Sequence, residues 1–297
     1  MLTATKKNVS VKHENYIINN GAKNDHTFKK GICYEMTGKM DGMISFSTSV
    51  LMNQYCQERR KNEKLICIEC FAAAMGKVYG ENFNNKLAKN TDLVTSRVLD
   101  FDELPIINYV VFRLEAFGDV SNVNQVINYF NLCYKNPHCQ FTVWTKNPWL
   151  YKAAIESGNK KPDNLNIVLS SPCLNHCVKT HFEFIDMIFT VYTAEYALMH
   201  DIKINCGNRK CLECMNCYSK EHVFYVNEIL KKESSFYYKT LRLLTLYIGK
   251  YGHDTNKKTI SEFLRFYRNV KTAVPGKLTN KKFAAIVAGH GENRETA

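Results

Sequence analysis

Through the first 43 positions apolar residues are scattered among Lys and Asn without a sustained period, and the stretch closes on glycine turns at Gly38 and Gly42. It reads as an irregular arm. From Ile44 the pattern changes to short β-branched and aromatic runs alternating with stretches whose apolar positions recur at helical spacing, the mark of strand–helix units building a parallel sheet. ISFST (44–48), YVVFRLEAF (109–117), QFTVWT (140–145), LNIVLSS (165–171) and DMIFTVYT (186–193) read as five strands, with a brief KIN strand at 203–205.

Helices fill the gaps. One starts near Phe71 on a run of alanines. Ser121 is placed to cap another, with Val123, Val126, Ile127 and Phe130 on one face. Asn147-Pro148 supplies an N-cap and a proline at the first helical position of a third, running to about Ser157. A short one lies around Tyr196 to Met199. Beyond Cys217 the pattern turns helical: Tyr237, Leu241, Leu244 and Ile248 make a stripe, a second helix covers 260–268, Pro275-Gly276 marks a turn, and Asn280 caps a last helix to Ala288. Five or six strand–helix units fall short of the eight that close a barrel. The expected fold is therefore α/β, a partial (incomplete) barrel with a C-terminal helical extension, in which ligands gather at the carboxyl ends of the strands. The expected divisions are an arm at 1–43, the partial barrel at 44–205, a cysteine-rich segment at 206–230 and a basic extension at 231–297.

Length and composition fit this: 297 residues, 45% hydrophobic, suffice for a sizeable core. No leader-like opening and no apolar run near the roughly 20 residues of a membrane span are visible, so a soluble cytoplasmic chain without membrane contact is expected. In a reducing compartment the twelve cysteines point to metal or redox chemistry before disulfides.

Four of them, Cys206, Cys211, Cys214 and Cys217, crowd into CGNRKCLECMNC, spaced C-x4-C-x2-C-x2-C. Thiolates are soft anionic ligands, and close spacing lets them converge at little loop entropy, which suits an iron–sulfur cluster or Zn. A second set, Cys56, Cys67 and Cys70, follows the first strand. Three thiolates leave one position of a four-iron cluster open; alternatively, Cys67 and Cys70 join Cys214 and Cys217 in one Zn site. Cys33, Cys133 and Cys139 read as isolated core thiols, Cys173 and Cys177 as weaker ligand candidates. Arg113 and Lys146 are candidates for a ligand anion, with Glu115 as the neighbour that would pair with Arg113, and Trp144 as a core residue.

Several phrases together resemble the phage "gene product 88" proteins of phages and mobile elements: CIECFAA, FRLEAFGD, NPHCQFTVWTKN, KPDNLNIVLS and CGNRKCLECMNCYSK. The likeness runs from about Ile44 to Asn227. That family's layout is similar to the radical S-adenosylmethionine (radical SAM) enzymes. The resemblance implies a radical-SAM type of partial barrel, a [4Fe-4S] cluster on Cys56, Cys67 and Cys70, S-adenosylmethionine contacted by Gly118 and Asp119, and an auxiliary cluster on Cys206, Cys211, Cys214 and Cys217. It also implies the host cytoplasm as the location of a phage-encoded protein. The ten residues between Cys56 and Cys67 exceed the usual C-x3-C-x2-C spacing, and Phe117 stands where the family has serine.

The net charge of +12 is uneven: residues 218–297 carry 15 Lys and Arg against 7 Asp and Glu. A cationic end favours polyanions. Two functions are therefore expected from different classes, an iron–sulfur enzyme of radical-SAM-like chemistry and a metal-stapled (Zn or Fe-S) nucleic-acid-binding protein.

Overall fold

The computed structural model of the chain describes residues 34–207, 209–219, 223–252, 254–273 and 278–290. Most of the N-terminal arm with Cys33, the turn at Pro275 and Gly276, and the last seven residues lie outside them. The chain divides into two compact units, Met1–Thr190 with Asn208–Val226, and Val191–Gly207 with Asn227–Ala297.

The sheet has seven strands in chain order, β1 (Tyr34–Glu35), β2 (Ile44–Phe46), β3 (Val111–Leu114), β4 (Gln140–Thr145), β5 (Leu165–Ser170), β6 (Met187–Tyr192) and β7 (Tyr225–Ile229). β1 pairs antiparallel with β2; from β2 onward the six strands form an all-parallel open sheet. β6 and β7 run across the boundaries at Thr190 and Val226. Every residue of β5 is buried, as expected of a strand covered on both faces. The α/β class and most strands agree with the hydrophobic pattern, whereas 203–205 is not a strand: Cys206 makes only a single bridge to Glu228, and the strand is β7.

Within the first unit the helices are α1 (Gln54–Arg59), α2 (Phe71–Thr95), α3 (Val123–Lys135) and α4 (Pro148–Glu156). α2 is two helices joined at Gly80, whose φ of 76° and ψ of −162° only glycine adopts without strain. α3 is capped by Asn122, whose Oδ1 accepts the Gln125 N–H at 3.0 Å, not by Ser121, whose buried hydroxyl has no hydrogen-bond partner among the described residues. Val126, Tyr129, Phe130 and Cys133 of α3 and Tyr151 and Ala154 of α4 pack on Phe112, Phe141, Val143 and Ile167 of the sheet. Cys133 and Cys139 are buried thiols. Pro148 opens α4 as expected, although the Asn147 side chain makes no capping bond.

The second unit holds α5 (Ala194–Met199) and, after the short α6 (Cys211–Cys214) of the first unit, α7 (Ser234–Tyr251), α8 (Lys257–Ala273) and α9 (Asn280–His290). Its core centres on Leu243, Phe263, Tyr267 and Phe283. The buried face of α7 is Tyr237, Thr240, Leu243 and Leu244, rotated from the expected stripe, and Leu241 is exposed. Among the described residues no helix is long and apolar enough to cross a membrane.

Candidate functional site

The carboxyl ends of β2, β3 and β4 are joined by a buried polar network. Directly after β3, Glu115 takes up a φ of 57°, in the left-handed region that L residues seldom occupy. Its carboxylate accepts from the Thr48 N–H at 3.1 Å, the Thr48 hydroxyl at 3.0 Å, Gln125 Nε2 at 2.8 Å and the Tyr129 hydroxyl. Burial raises the acid to about 7 against those hydrogen bonds, which favour its ionised form. Gly118 is required here by close approach: a Cβ would stand 2.1 Å from Glu115 Oε2 and 2.8 Å from the Thr48 carbonyl oxygen.

Asp119 braces the same edge. Oδ1 accepts from the Thr145 hydroxyl at 2.6 Å and the Val120 N–H at 2.8 Å, and Oδ2 accepts the Lys146 N–H at 2.8 Å. Burial again pushes this carboxyl upward. Asn53 then carries the brace to the first cysteine loop: its amide donates to the carbonyls of Asp119 at 2.9 Å and Val120 at 3.2 Å, while Oδ1 caps α1 by accepting the Cys56 N–H at 3.2 Å. The Tyr55 hydroxyl donates to the Lys146 carbonyl at 2.5 Å, a second tie between α1 and the end of β4. The Ile66 N–H donates to the Pro172 carbonyl at 2.8 Å, fastening the far end of the loop beside β5.

These ties fasten the segment that carries Cys56 on α1, Cys67 in a 3₁₀ turn (Ile66–Glu69) and Cys70 at the N-cap of α2. Cys56 is held well above the ordinary thiol range, first by burial and then by the negative potential of Asp119, Cys70 and Cys67; Lys146 acts in the opposite sense. The sequence-selected trio, Asp119 and Lys146 thus share one electrostatic neighbourhood. As the side chains stand, no group of three or more His, Cys, Asp or Glu among the described residues is arranged to hold a metal ion.

The late cysteines divide. Cys211, Cys214 and Cys217 belong to the first unit and Cys206 to the second. The Cys206 N–H donates to the Asn227 carbonyl at 3.0 Å. Strand register explains where the other three are held. Arg113, Thr142 and Asn166 are direct partners on β3, β4 and β5, forming a polar row across the sheet. Thr142 Oγ1 donates to the Cys217 carbonyl at 2.8 Å, and Asn166 Nδ2 to the carbonyls of Cys217 at 3.1 Å and Ser219 at 2.9 Å. Arg113 stacks its guanidinium 3.2 Å from the Trp144 ring centroid and donates to the Tyr218 hydroxyl at 3.5 Å.

Arg113 is therefore not paired with Glu115. Glu115 lies past the last residue of β3, where alternation of faces no longer applies. Trp144 is a stacking partner as well as a packed residue. Met36, Met43, Phe83, Val111 and Phe117 bury the inner side of this segment, against which Cys211 and Cys217 pack.

Sequence reading missed Asn53, Thr48, Gln125 and Tyr129. Asn53 carried a legible signal, an N-cap residue three positions before Cys56; the others are recognisable only once the fold brings them to Glu115. Compared with protein-family models, curated proteins and solved structures, the chain matches none of them.

Proposed function

We propose that the chain is an iron–sulfur protein whose reactive centre is the Cys56, Cys67 and Cys70 set, with radical-SAM-like chemistry at the carboxyl edge of a radical-SAM type of partial barrel. The supporting observation is that Cys56, held to the braced edge by Asn53 and Tyr55, feels the charge of Asp119, Cys70 and Cys67. The donor set fits a cluster with an open position: three thiols, and a buried carboxylate acting on Cys56, Asp119, whose oxygens already accept three hydrogen bonds. A part-buried thiol kept protonated first by desolvation and then by the negative potential around it is also the kind of group that a cationic metal centre deprotonates.

When bound, a [4Fe-4S] cluster supplies an electron for reductive cleavage of S-adenosylmethionine. The chain's own residues do the positioning. Asn53 fixes Cys56 relative to Gly118 and Asp119, and Lys146, within reach of both Cys56 and Asp119, is the cation suited to a ligand carboxylate. Cys211, Cys214 and Cys217, held by the polar row on the sheet, are the ligands for an auxiliary centre. The likeness to the phage "gene product 88" proteins supports this reading. Anaerobic reconstitution followed by incubation with S-adenosylmethionine and dithionite tests it: 5′-deoxyadenosine is expected from the full chain and not from Cys56→Ser. Its absence from fully loaded protein removes the radical assignment.

A second reading, a metal-stapled nucleic-acid-binding protein, draws on α8. Its buried face is Ile260, Phe263, Leu264, Tyr267 and Val270, while Lys257, Lys258, Arg265 and Lys271 are exposed. Charge reversal at Lys257, Lys258 and Lys271 would then flatten the salt dependence of DNA or RNA binding.

A further inference from the structure

A column of aromatic rings leads from the core of the first unit to its surface beside the cysteine loop. Buried Tyr151 stacks on Phe184 at 6.5 Å between centroids, and Phe184 on Phe182 at 5.1 Å. Phe182 meets Trp149 edge-to-face at 5.1 Å and His181 at 4.5 Å. Trp149 ends the column 59% exposed, on the first turn of α4 and four residues past Thr145. Packing does not need this ring, since Tyr151 and Ala154 already seat α4 on the core. His181 is exposed as well.

Cations surround the exposed rings. Lys152 lies 5.6 Å from the Trp149 centroid and is paired with Glu156 at 3.5 Å. Lys179, on the same loop as His181, is exposed and makes no hydrogen bond or ion pair among the described residues. The Tyr55–Lys146 and Ile66–Pro172 bonds fasten the loop carrying Arg59, Arg60 and Lys61 to this edge. Glu58, Glu63 and Glu183 offset part of that charge, so stacking on the rings must set the affinity and the cations assist.

We infer that the carboxyl edge of the first unit takes single-stranded nucleic acid as its substrate class, with bases stacked on Trp149 and the His181–Phe182 end of the column, and phosphates met by Lys179 and the Arg59 loop. Exposed aromatics interleaved with cations are the means by which proteins hold single strands, because every base offers a ring face. The inference rests on the proposed role of this edge as the reactive site, yet binding and cluster content are separate readouts.

The test uses full-length protein and a labelled oligothymidylate of roughly 12 nucleotides, a length within the span of one such site, followed by anisotropy across a salt series. Trp149→Ala is expected to weaken binding about tenfold. Lys179→Glu, which disturbs no packing, is expected to weaken it several-fold and most strongly at low salt. Iron content measured on the same Trp149→Ala and Lys179→Glu proteins is expected to stay at the wild-type level while their oligonucleotide affinity falls, which separates failure of the cluster assignment from failure of this one. No measurable binding overturns the inference, as does equal affinity in Trp149→Ala and Lys179→Glu. Loss confined to Lys257→Glu with Lys258→Glu, or competition by thymidine monophosphate or duplex DNA as effective as by the oligomer, also overturns it.

Discussion

Gly118 and Glu115 concentrate the constraints of the edge into two residues. An alanine methyl at 118 would stand 2.1 Å from Glu115 Oε2 and 2.8 Å from the Thr48 carbonyl oxygen, so Gly118→Ala must displace backbone as well as side chain. Overpacking of that kind costs about 1–3 kcal/mol, and a urea midpoint lowered to match is the expected result; an unchanged midpoint would show that the Thr48 loop yields freely. Glu115 makes a pH prediction. Its carboxyl is raised to about 7 in the folded chain by burial, with Asp119 adding repulsion, so the folded state holds a proton that the unfolded chain releases near pH 4.3. Stability from this group is full below about pH 4.3, falls as pH rises towards 7, and is lost above it, a swing of at most about 4 kcal/mol. Glu115→Gln should flatten the wild-type decline in unfolding free energy between about pH 5 and 7.5. A decline of undiminished slope in that variant would assign the pH dependence elsewhere.

At the scale of elements, the short α1 is placed by its cap more than by packing, since none of its six residues is buried. Asn53→Ala removes the cap and both bonds to the Gly118-Asp119 loop. Loss of such a cap costs about 0.5–2 kcal/mol, and iron retained after gel filtration should fall while secondary structure by circular dichroism stays level. Thr142→Val with Asn166→Leu removes three donor bonds from Thr142 and Asn166 to the 217–219 segment. Faster amide exchange confined to 211–219 is expected; protection equal to wild type would mean that apolar packing alone seats the segment. These elements also show what the sequence could carry. Strands β4 and β5 announced themselves because six-residue apolar runs between turn residues have few other readings. β7 did not: YVNEI is short, half-buried and mixed in polarity. The Arg113–Thr142–Asn166 row was invisible for a related reason, since register between strands is set by the whole sheet and not by any one strand.

For the whole molecule, the alternation of strands and helices made the α/β class and its parallel sheet legible, and the cysteine spacing singled out Cys56, Cys67 and Cys70 as the ligands proposed here. Cluster binding is a chemical property of those thiols, so the central claim has a direct chemical test. Iron, zinc and acid-labile sulfide should be measured on anaerobically purified full-length protein beside the Cys56→Ala, Cys67→Ala, Cys70→Ala triple variant, together with visible absorption before and after dithionite. The account predicts a brown protein with iron and sulfide in equal amounts, a spectrum bleached on reduction, and loss of about four iron atoms per chain in the triple variant. A colourless protein carrying zinc, or iron unchanged by removal of all three thiols, would contradict it.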